Sequence, residues 1–330
     1  MQVVPPPTVE RCSQMLQAWR QMLKLSSREH GLLGGELRLL DRQLQRLQQK
    51  ELRIAVFGRV GVGKSSLINA LINRPLLGTD VAHGCTRIQK AVPWPITPSE
   101  LNRVDLVDTP GIDEIGAAGR ARLAARVAMG SDLVLLVVDS DLTSTDLEAL
   151  ETLLECGKPL QLVLNRSDRW PEQEQSALLH SIRGRLPRDV PVTAAAAAPR
   201  RPVLQPDGSV RSELAPPRVN ELKTRLIDQL DLEGSLLLGL QTLRQADRFQ
   251  RSCQKLRLQQ HRRSAQGLIG RYAAAKATAV AMNPFLALDL AGGLACDTAL
   301  VLQLSQLYNL PMNPGACLLY TSDAADDALS

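Results

Sequence analysis

Leu52-Arg-Ile-Ala-Val-Phe57-Gly58-Arg-Val-Gly61-Val-Gly63-Lys64-Ser65-Ser66-Leu-Ile-Asn-Ala-Leu-Ile72 is the stretch on which the fold turns. An apolar run of strand length ends in a glycine-rich loop, and the loop opens directly into a helical pattern over Ser65–Ile72. Glycines let a backbone curl until successive N–H groups converge on one point, and a helix N-terminus adds a favourable field for an anion. Gly58, Gly61, Val62, Gly63, Lys64, Ser65 and Ser66 are therefore expected to wrap a polyphosphate. Lys64 would reach the β- and γ-phosphates and the Ser65 hydroxyl would bind Mg²⁺. Such a pattern arises by chance in long chains, but at a junction of strand and helix it is rarely accidental.

Outward from this loop the chain alternates short apolar runs with longer amphipathic ones. Leu52–Phe57 is followed by Ser65–Ile72, Val104–Val107 by Ala117–Ala128, and Leu133–Val138 by Asp146–Leu154. Leu160–Leu164 is then followed by Gln173–Leu186, and Val190–Ala194 closes the series. This alternation predicts an α/β fold with a mostly parallel sheet covered by helices on both faces. Pro199 to Pro217 reads as a polar loop ahead of a helix at about Arg218–Leu232. Before the sheet, Leu37, Leu40, Leu44 and Leu47 form one apolar stripe, and Gly31, Gly34 and Gly35 predict a break between two helices.

Two further strand ends carry polar motifs. Leu106-Val-Asp108-Thr-Pro-Gly111 offers a carboxylate that can hold Mg²⁺ through water and a glycine N–H for a γ-phosphate. Asn165-Arg166-Ser-Asp168 follows the fourth apolar run. A carboxylate there can accept from the ring N–H and exocyclic amine of guanine, a pair of donors adenine lacks, and an unpaired buried polar group discriminates strongly. On its own the tetrapeptide is weak. In third place and in this order it selects GTP over ATP.

With these three motifs in order, the chain resembles the translation-factor-related, Era-like GTPases over roughly Leu52 to Leu232. The resemblance implies a Mg²⁺-dependent switch that hydrolyses GTP to GDP and phosphate. Its catalytic set is Lys64, Thr86 and Gly111, its metal set Ser65, Thr86 and Asp108, and its base set Asn165, Arg166, Asp168, Thr193 and Ala194. Thr86 matches the Mg²⁺-sensing threonine of the first switch region, with Thr79 as the fallback, and Ala194 would offer its N–H to guanine O6. The chain departs from the family pattern in three places. Arg166 stands for the usual Lys, Gly61 for the Asn of potassium-activated relatives, and Ile112 for the water-orienting Gln of many signalling GTPases. An apolar residue cannot orient the attacking water, so intrinsic turnover is expected to be slow; Asp113, Glu114, Arg59 and His83 are the nearby polar groups.

After Asp231 the strand signals stop. Ser235–Gln266 reads as a long basic helix, and Tyr272 to Leu310 is rich in Ala and Leu, with Lys276, Asp289 and Asp297 its charges and Asn283-Pro284 its break. Ala273 to Pro284, Leu288-Asp289 and Gln303 to Leu310 resemble an uncharacterised helical domain found behind certain bacterial Era-like GTPases. The domains expected are thus 1–50, helical; 51–232, GTPase; and 233–316, helical. No run of about 18 apolar residues supports a transmembrane helix. Contact of residues 267–312 with a membrane surface, a protein effector, or ribosomal RNA all stay open.

Of the 330 residues 44% are hydrophobic and 22% charged, which excludes disorder and collagen-like chains and allows about two domains. The net charge of +5 permits an anionic partner. Three Trp, three Tyr and three Phe are few for a reader of single-stranded nucleic acid, and no DNA partner is expected. Six scattered cysteines, with no Cys-x-x-Cys pair, fit a reducing compartment rather than a disulfide or zinc scaffold. The Pro-rich start at Met1–Thr8 does not read as a secretory signal, so a cytoplasmic protein is expected, with a peripheral place at the inner membrane among the alternatives left open by 267–312. The ten residues Cys317-Leu-Leu-Tyr-Thr-Ser-Asp-Ala-Ala-Asp326 resemble the translation of a common transposase sequencing adapter, so 317–330 are expected to be foreign, with the natural sequence breaking off near Ala316, the helical domain 233–316 truncated and the true C-terminus missing.

Overall fold

The computed structural model describes residues 8–78, 90–96, 98–114, 117–186, 190–204, 209–282 and 286–308. Two helices, α1 (Thr8–Met22) and α2 (Ser27–Gln49), precede the first strand, β1 (Glu51–Phe57). There follow α3 (Lys64–Ile72), β2 (Lys90–Trp94), β3 (Arg103–Asp108), α4 (Ala117–Gly130), β4 (Leu133–Val138), α5 (Ser144–Glu155), β5 (Leu160–Leu164), α6 (Glu172–Arg185) and β6 (Val192–Ala194). A hairpin of β7 (Arg200–Leu204) and β8 (Val210–Leu214) leads to α7 (Asn220–Met282) and α8 (Leu286–Leu307). The chain divides into two compact units, Met1–Lys24 with Gly34–Asp247, and Leu25–Leu33 with Arg248–Ser330.

In the first unit the five predicted apolar runs are strands of one six-stranded sheet, ordered β2-β3-β1-β4-β5-β6. Pairing is parallel from β3 through β6, and β4 is buried along its whole length because helices cover both faces. The strand order turns back at β1, with β3 on one side and β4 on the other. In open α/β sheets the crevice at such a turning point is where ligands sit.

The structure adds a strand that the alternation did not predict and corrects several local expectations. Lys90-Ala-Val-Pro-Trp94 is a strand, β2, antiparallel to β3. Its Pro93 removes one ladder donor, which an edge position tolerates, and Trp94 is buried with its Nε1 donating to the Leu71 carbonyl at 3.1 Å. The stretch from Pro199 to Pro217 is not wholly loop, since β7 and β8 pair within it. Gly31, Gly34 and Gly35 do not break the N-terminal helix. The break falls at residues 23–26, where Ser26 starts α2 with a capping box: Glu29 N–H donates to Ser26 Oγ at 3.3 Å and Ser26 N–H to Glu29 Oε2 at 2.7 Å.

Past that cap, burial of Leu37, Leu40, Leu44 and Leu47 holds the rest of α2 in the first unit. At about 1.5–3 kcal/mol per buried leucine, the stripe outweighs the cost of about 1 kcal/mol for a glycine inside a helix. The two helices expected around 218–232 and 235–266 are one, α7. Its Leu222, Leu226 and Leu230 are fully buried in the first unit.

In the second unit Arg257 Nε pairs with Glu29 Oε1 at 2.6 Å, both largely shielded from water. Lys276 pairs with Asp297 at 2.8 Å. Among the described residues no helix is long and apolar enough to cross a membrane.

Candidate functional site

The site forms at the C-terminal ends of β1, β3, β4 and β5. After Phe57 the glycine-rich loop runs from Gly58 to Gly63, and Gly63 caps α3 in the left-handed region at φ 89°. A Cβ there would also lie 2.5 Å from Asn165 Nδ2, so only glycine fits. Lys64 folds back over the loop, its Nζ donating to the carbonyls of Gly58 at 3.0 Å and Arg59 at 2.7 Å. Ser65 Oγ donates to Asp108 Oδ2 at 2.7 Å, joining the start of α3 to the end of β3. Thr109 behind it is fully buried, with its Oγ1 on the Val56 carbonyl at 2.8 Å.

Gly111 lies against the phosphate loop. A Cβ on it would come within 2.2 Å of Val60 Cγ2 and 2.9 Å of Val60 N, so glycine permits the close approach. Ile112 follows, fully buried in the apolar core beneath the sheet end with Phe57, Val127 and Leu150. Its side chain has turned away from the site. Asp113 Oδ1 accepts from the Val60 N–H at 2.6 Å, bringing a carboxylate to the loop. Arg59, expected among the groups near the attacking water, is instead tied to Asp146 and Asp139. Thr86, Thr79 and His83 lie outside the described residues.

Asn165 begins the third motif and is buried. Its N–H donates to the Val138 carbonyl at 2.8 Å, and its Nδ2 to the Val62 carbonyl at 2.8 Å. Its Oδ1 accepts from Ala197 N–H at 3.1 Å. One side chain thus ties the phosphate loop to the segment after β6. Arg166 takes a left-handed turn at φ 58°, and Asp168 follows half-buried in a short 3-10 turn over Ser167–Arg169. Thr193 is buried within β6, and Ala194 pairs in register with Leu164. Beyond them the N–H groups of Ala195, Ala196 and Ala197 go to Leu164 O, Arg218 O and Asn165 Oδ1.

The sequence reading did not single out Asp139, Asp146 or Ala197. Asp139 carried the signal that marked Asp108 and Asn165, a polar residue directly after an apolar strand run. Ser65 and Asp108 set a hydroxyl beside a carboxylate, hard oxygen donors of the kind Mg²⁺ takes.

Residues 53–166 match the family described as 50S ribosome-binding GTPase, and residues 244–317 match the Domain of unknown function (DUF697). GTPase Der of Allorhizobium ampelinum is 38% identical over 125 residues, 35% of this chain and 25% of that protein. GTPase Der of Bartonella henselae is 37% identical over 123 residues, 36% and 25% of the two chains. The chain thus spans about a quarter of the length of these curated relatives. Among solved structures, a variant of Era from Aquifex aeolicus bound to GDP and AlF₄⁻ aligns at a TM-score of 0.43 with 21% identity, covering 54% of this chain and 56% of that one. Era in complex with MgGDPNP and a segment of 16S ribosomal RNA aligns at 0.43 and 21%, covering 55% and 57%.

Proposed function

We propose, for a chain whose residues 53–166 are an Era-like P-loop GTPase domain with a DUF697 segment behind it, that it binds GTP with Mg²⁺ and hydrolyses it to GDP and phosphate as a slow molecular switch. The observation that carries this reading is the meeting of three separate motifs at one sheet edge. Ser65 sits on Asp108 at 2.7 Å, and Asn165 sits on Val62 at 2.8 Å.

In this reading the backbone of Gly58, Gly61, Val62, Gly63, Lys64, Ser65 and Ser66 cradles the phosphates. Lys64 exchanges its carbonyl partners for phosphate oxygens, and Gly111 N–H serves the γ-phosphate. Ser65, Asp108 and Thr86 hold Mg²⁺, which when bound neutralises charge on the phosphate oxygens. Asn165, Arg166, Asp168, Thr193 and Ala194 surround guanine. The buried Ile112 supplies no polar group to the attacking water, which is why intrinsic turnover is expected to be slow.

Turnover and binding of GTP and ATP, each with Mg²⁺ and with chelator, test the assignment. GTP alone should be bound and hydrolysed, and only with Mg²⁺. Equal use of ATP would overturn the guanine assignment, and binding of neither would overturn the whole reading.

We further propose domains at 51–232 and 233–316, the second reading out the nucleotide state at a membrane surface through 267–312 from the cytoplasmic side. Exposed Arg262, Arg263 and Arg271 beside exposed Ile269 support a peripheral contact with an anionic surface. Co-sedimentation with anionic liposomes, in GDP and in a non-hydrolysable GTP analogue, should differ between the two states. The family's description as ribosome-binding favours a second reading. Nucleotide-dependent pelleting with 50S subunits but not with liposomes would establish that one instead.

A further inference from the structure

Two of the three nucleotide motifs, the phosphate loop and the guanine motif, carry an arginine as their second residue, and one carboxylate holds both. Arg59 belongs to the phosphate loop and Arg166 to the guanine motif. Asp139, the residue after β4, accepts from Arg59 Nη2 through Oδ1 at 3.2 Å and from Arg166 Nη1 through Oδ2 at 3.1 Å. Its two oxygens are thus divided between the two motifs.

Arg59 is anchored from its other side as well. Its Nε lies 3.2 Å from both carboxylate oxygens of Asp146. Asp146 is fully buried and is itself fixed by the capping box it shares with Thr143 at the start of α5. The order Asp146, Arg59, Asp139, Arg166 alternates two carboxylates with two guanidiniums, so their charges cancel. Side-chain exposures of 22% for Arg59, 19% for Asp139 and 31% for Arg166 shelter these charge-assisted bonds from much of the solvent.

We propose that Asp139 is a positioning residue that couples the phosphate loop to the guanine motif through Arg59 and Arg166, so that filling one half of the nucleotide site orders the other. The inference rests on the GTP-binding reading above. An arginine suits this role better than the lysine usual at position 166. Its planar fork keeps a carboxylate in fixed geometry while the stem stays free to lie along a base, whereas an ammonium is a point charge. Coupling of this kind travels through contiguous bonded groups with rigid ends, and here those ends are the start of α5 and the backbone turn at Arg166.

The experiment measures release of fluorescent GDP, GMP and ADP from the full chain, with Asp139→Asn as the variant that keeps shape and removes charge. GDP should leave about ten-fold faster or more, and the preferences for GDP over GMP and for guanine over adenine should shrink together. Asp139→Asn combined with Arg166→Met should be no faster than the worse single variant, because both cut the same connection. Asp141→Asn is the control, since Asp141 serves Ser181, Arg185 and the Leu142 N–H. A wild-type release rate in Asp139→Asn, even with a lowered melting temperature, would overturn the inference and leave the GTP-binding reading intact. Multiplying effects of the two substitutions would also overturn it. A folded wild-type chain that holds no GDP would overturn the functional reading and the inference with it.

Discussion

At the N-terminal edge of the six-stranded sheet, Asp132 is fully buried just ahead of β4, and its carboxylate accepts from Gln43 Nε2 at 2.9 Å, Arg46 Nη1 at 2.6 Å and Arg53 N–H at 2.8 Å. Gln43 also reaches Thr242 at 3.3 Å, and nearby Lys158 donates to Ser131 O and Gln241 Oε1 at 2.8 and 2.7 Å. At the opposite edge Asp108 is almost as buried but meets Ser65, and Lys64 rests on two loop carbonyls.

Both edges place charge at strand ends, yet the partners differ in kind. Around Asp132 they come from β1 and α2, and Gln43 carries the cluster on to Thr242 of α7, so it is closed and clamps two helices to the sheet. Around Lys64 they include two carbonyls of its own loop, which the stronger field of a phosphate can replace. A closed cluster holds the fold, and an exchangeable one is suited to take a ligand.

The largest expected effect tests the exchangeable edge. Lys64→Ala should lower GTP turnover by about 10²–10³-fold, as loss of one preorganised charge-stabilising group does, with the melting temperature of the nucleotide-free protein little changed. A large loss of stability would break the comparison by making Lys64 a structural group.

Next, Asp132→Ala should destabilise the first unit by about 3–5 kcal/mol, because Arg46 is left buried without its counter-ion. Denaturant melts would show this, while GDP affinity below the transition stays near wild type. Loss of GDP binding in the still-folded variant would mean that the two edges communicate.

A smaller effect is expected from Ile112→Gln, about 1–3 kcal/mol of lost stability from burying an amide in the core, with no gain in turnover. A faster enzyme would show that the side chain can swing out to the site, and would sharpen the account of what orients water.

The smallest concerns the closed pair of the other unit. Burial alone raises the Glu29 carboxyl, but hydrogen bonds from Arg257 and from Ser26, with the charge of Arg257, outweigh it and hold the group below its ordinary value. A depressed folded value means stability that is fully present above the unfolded value of about 4.5 and is lost as pH falls through the folded one. Thermal melts from pH 6 down to about pH 3 should show this loss, and Glu29→Gln should flatten it.

The sheet's parallel strands were legible because a strand buried on both faces announces itself as a continuous apolar run, as Leu133–Val138 does. Asp108 and Asn165 were legible for a related reason, since each stands where such a run stops. β2 was not, because an edge strand with Lys90 and Pro93 has neither the run nor a full ladder of donors. The β7–β8 hairpin was hidden by its polarity, its residues being almost all exposed. The glycines of α2 misled because local propensity is weaker than the burial of Leu37 to Leu47, and burial depends on the rest of the chain.

The sequence by itself determined the order of elements, the phosphate loop and the strand ends that carry polar chemistry, since each is a pattern among consecutive residues. Only the tertiary structure decided that Ile112 is sunk in the core and that Asn165 spans from Val62 to Ala197. It also decided that Asp139 stands between arginines 80 and 27 residues away. Those partners are chosen by strand order: a parallel sheet ordered β3-β1-β4-β5 brings the ends of distant strands side by side, and no local pattern encodes which ends become neighbours.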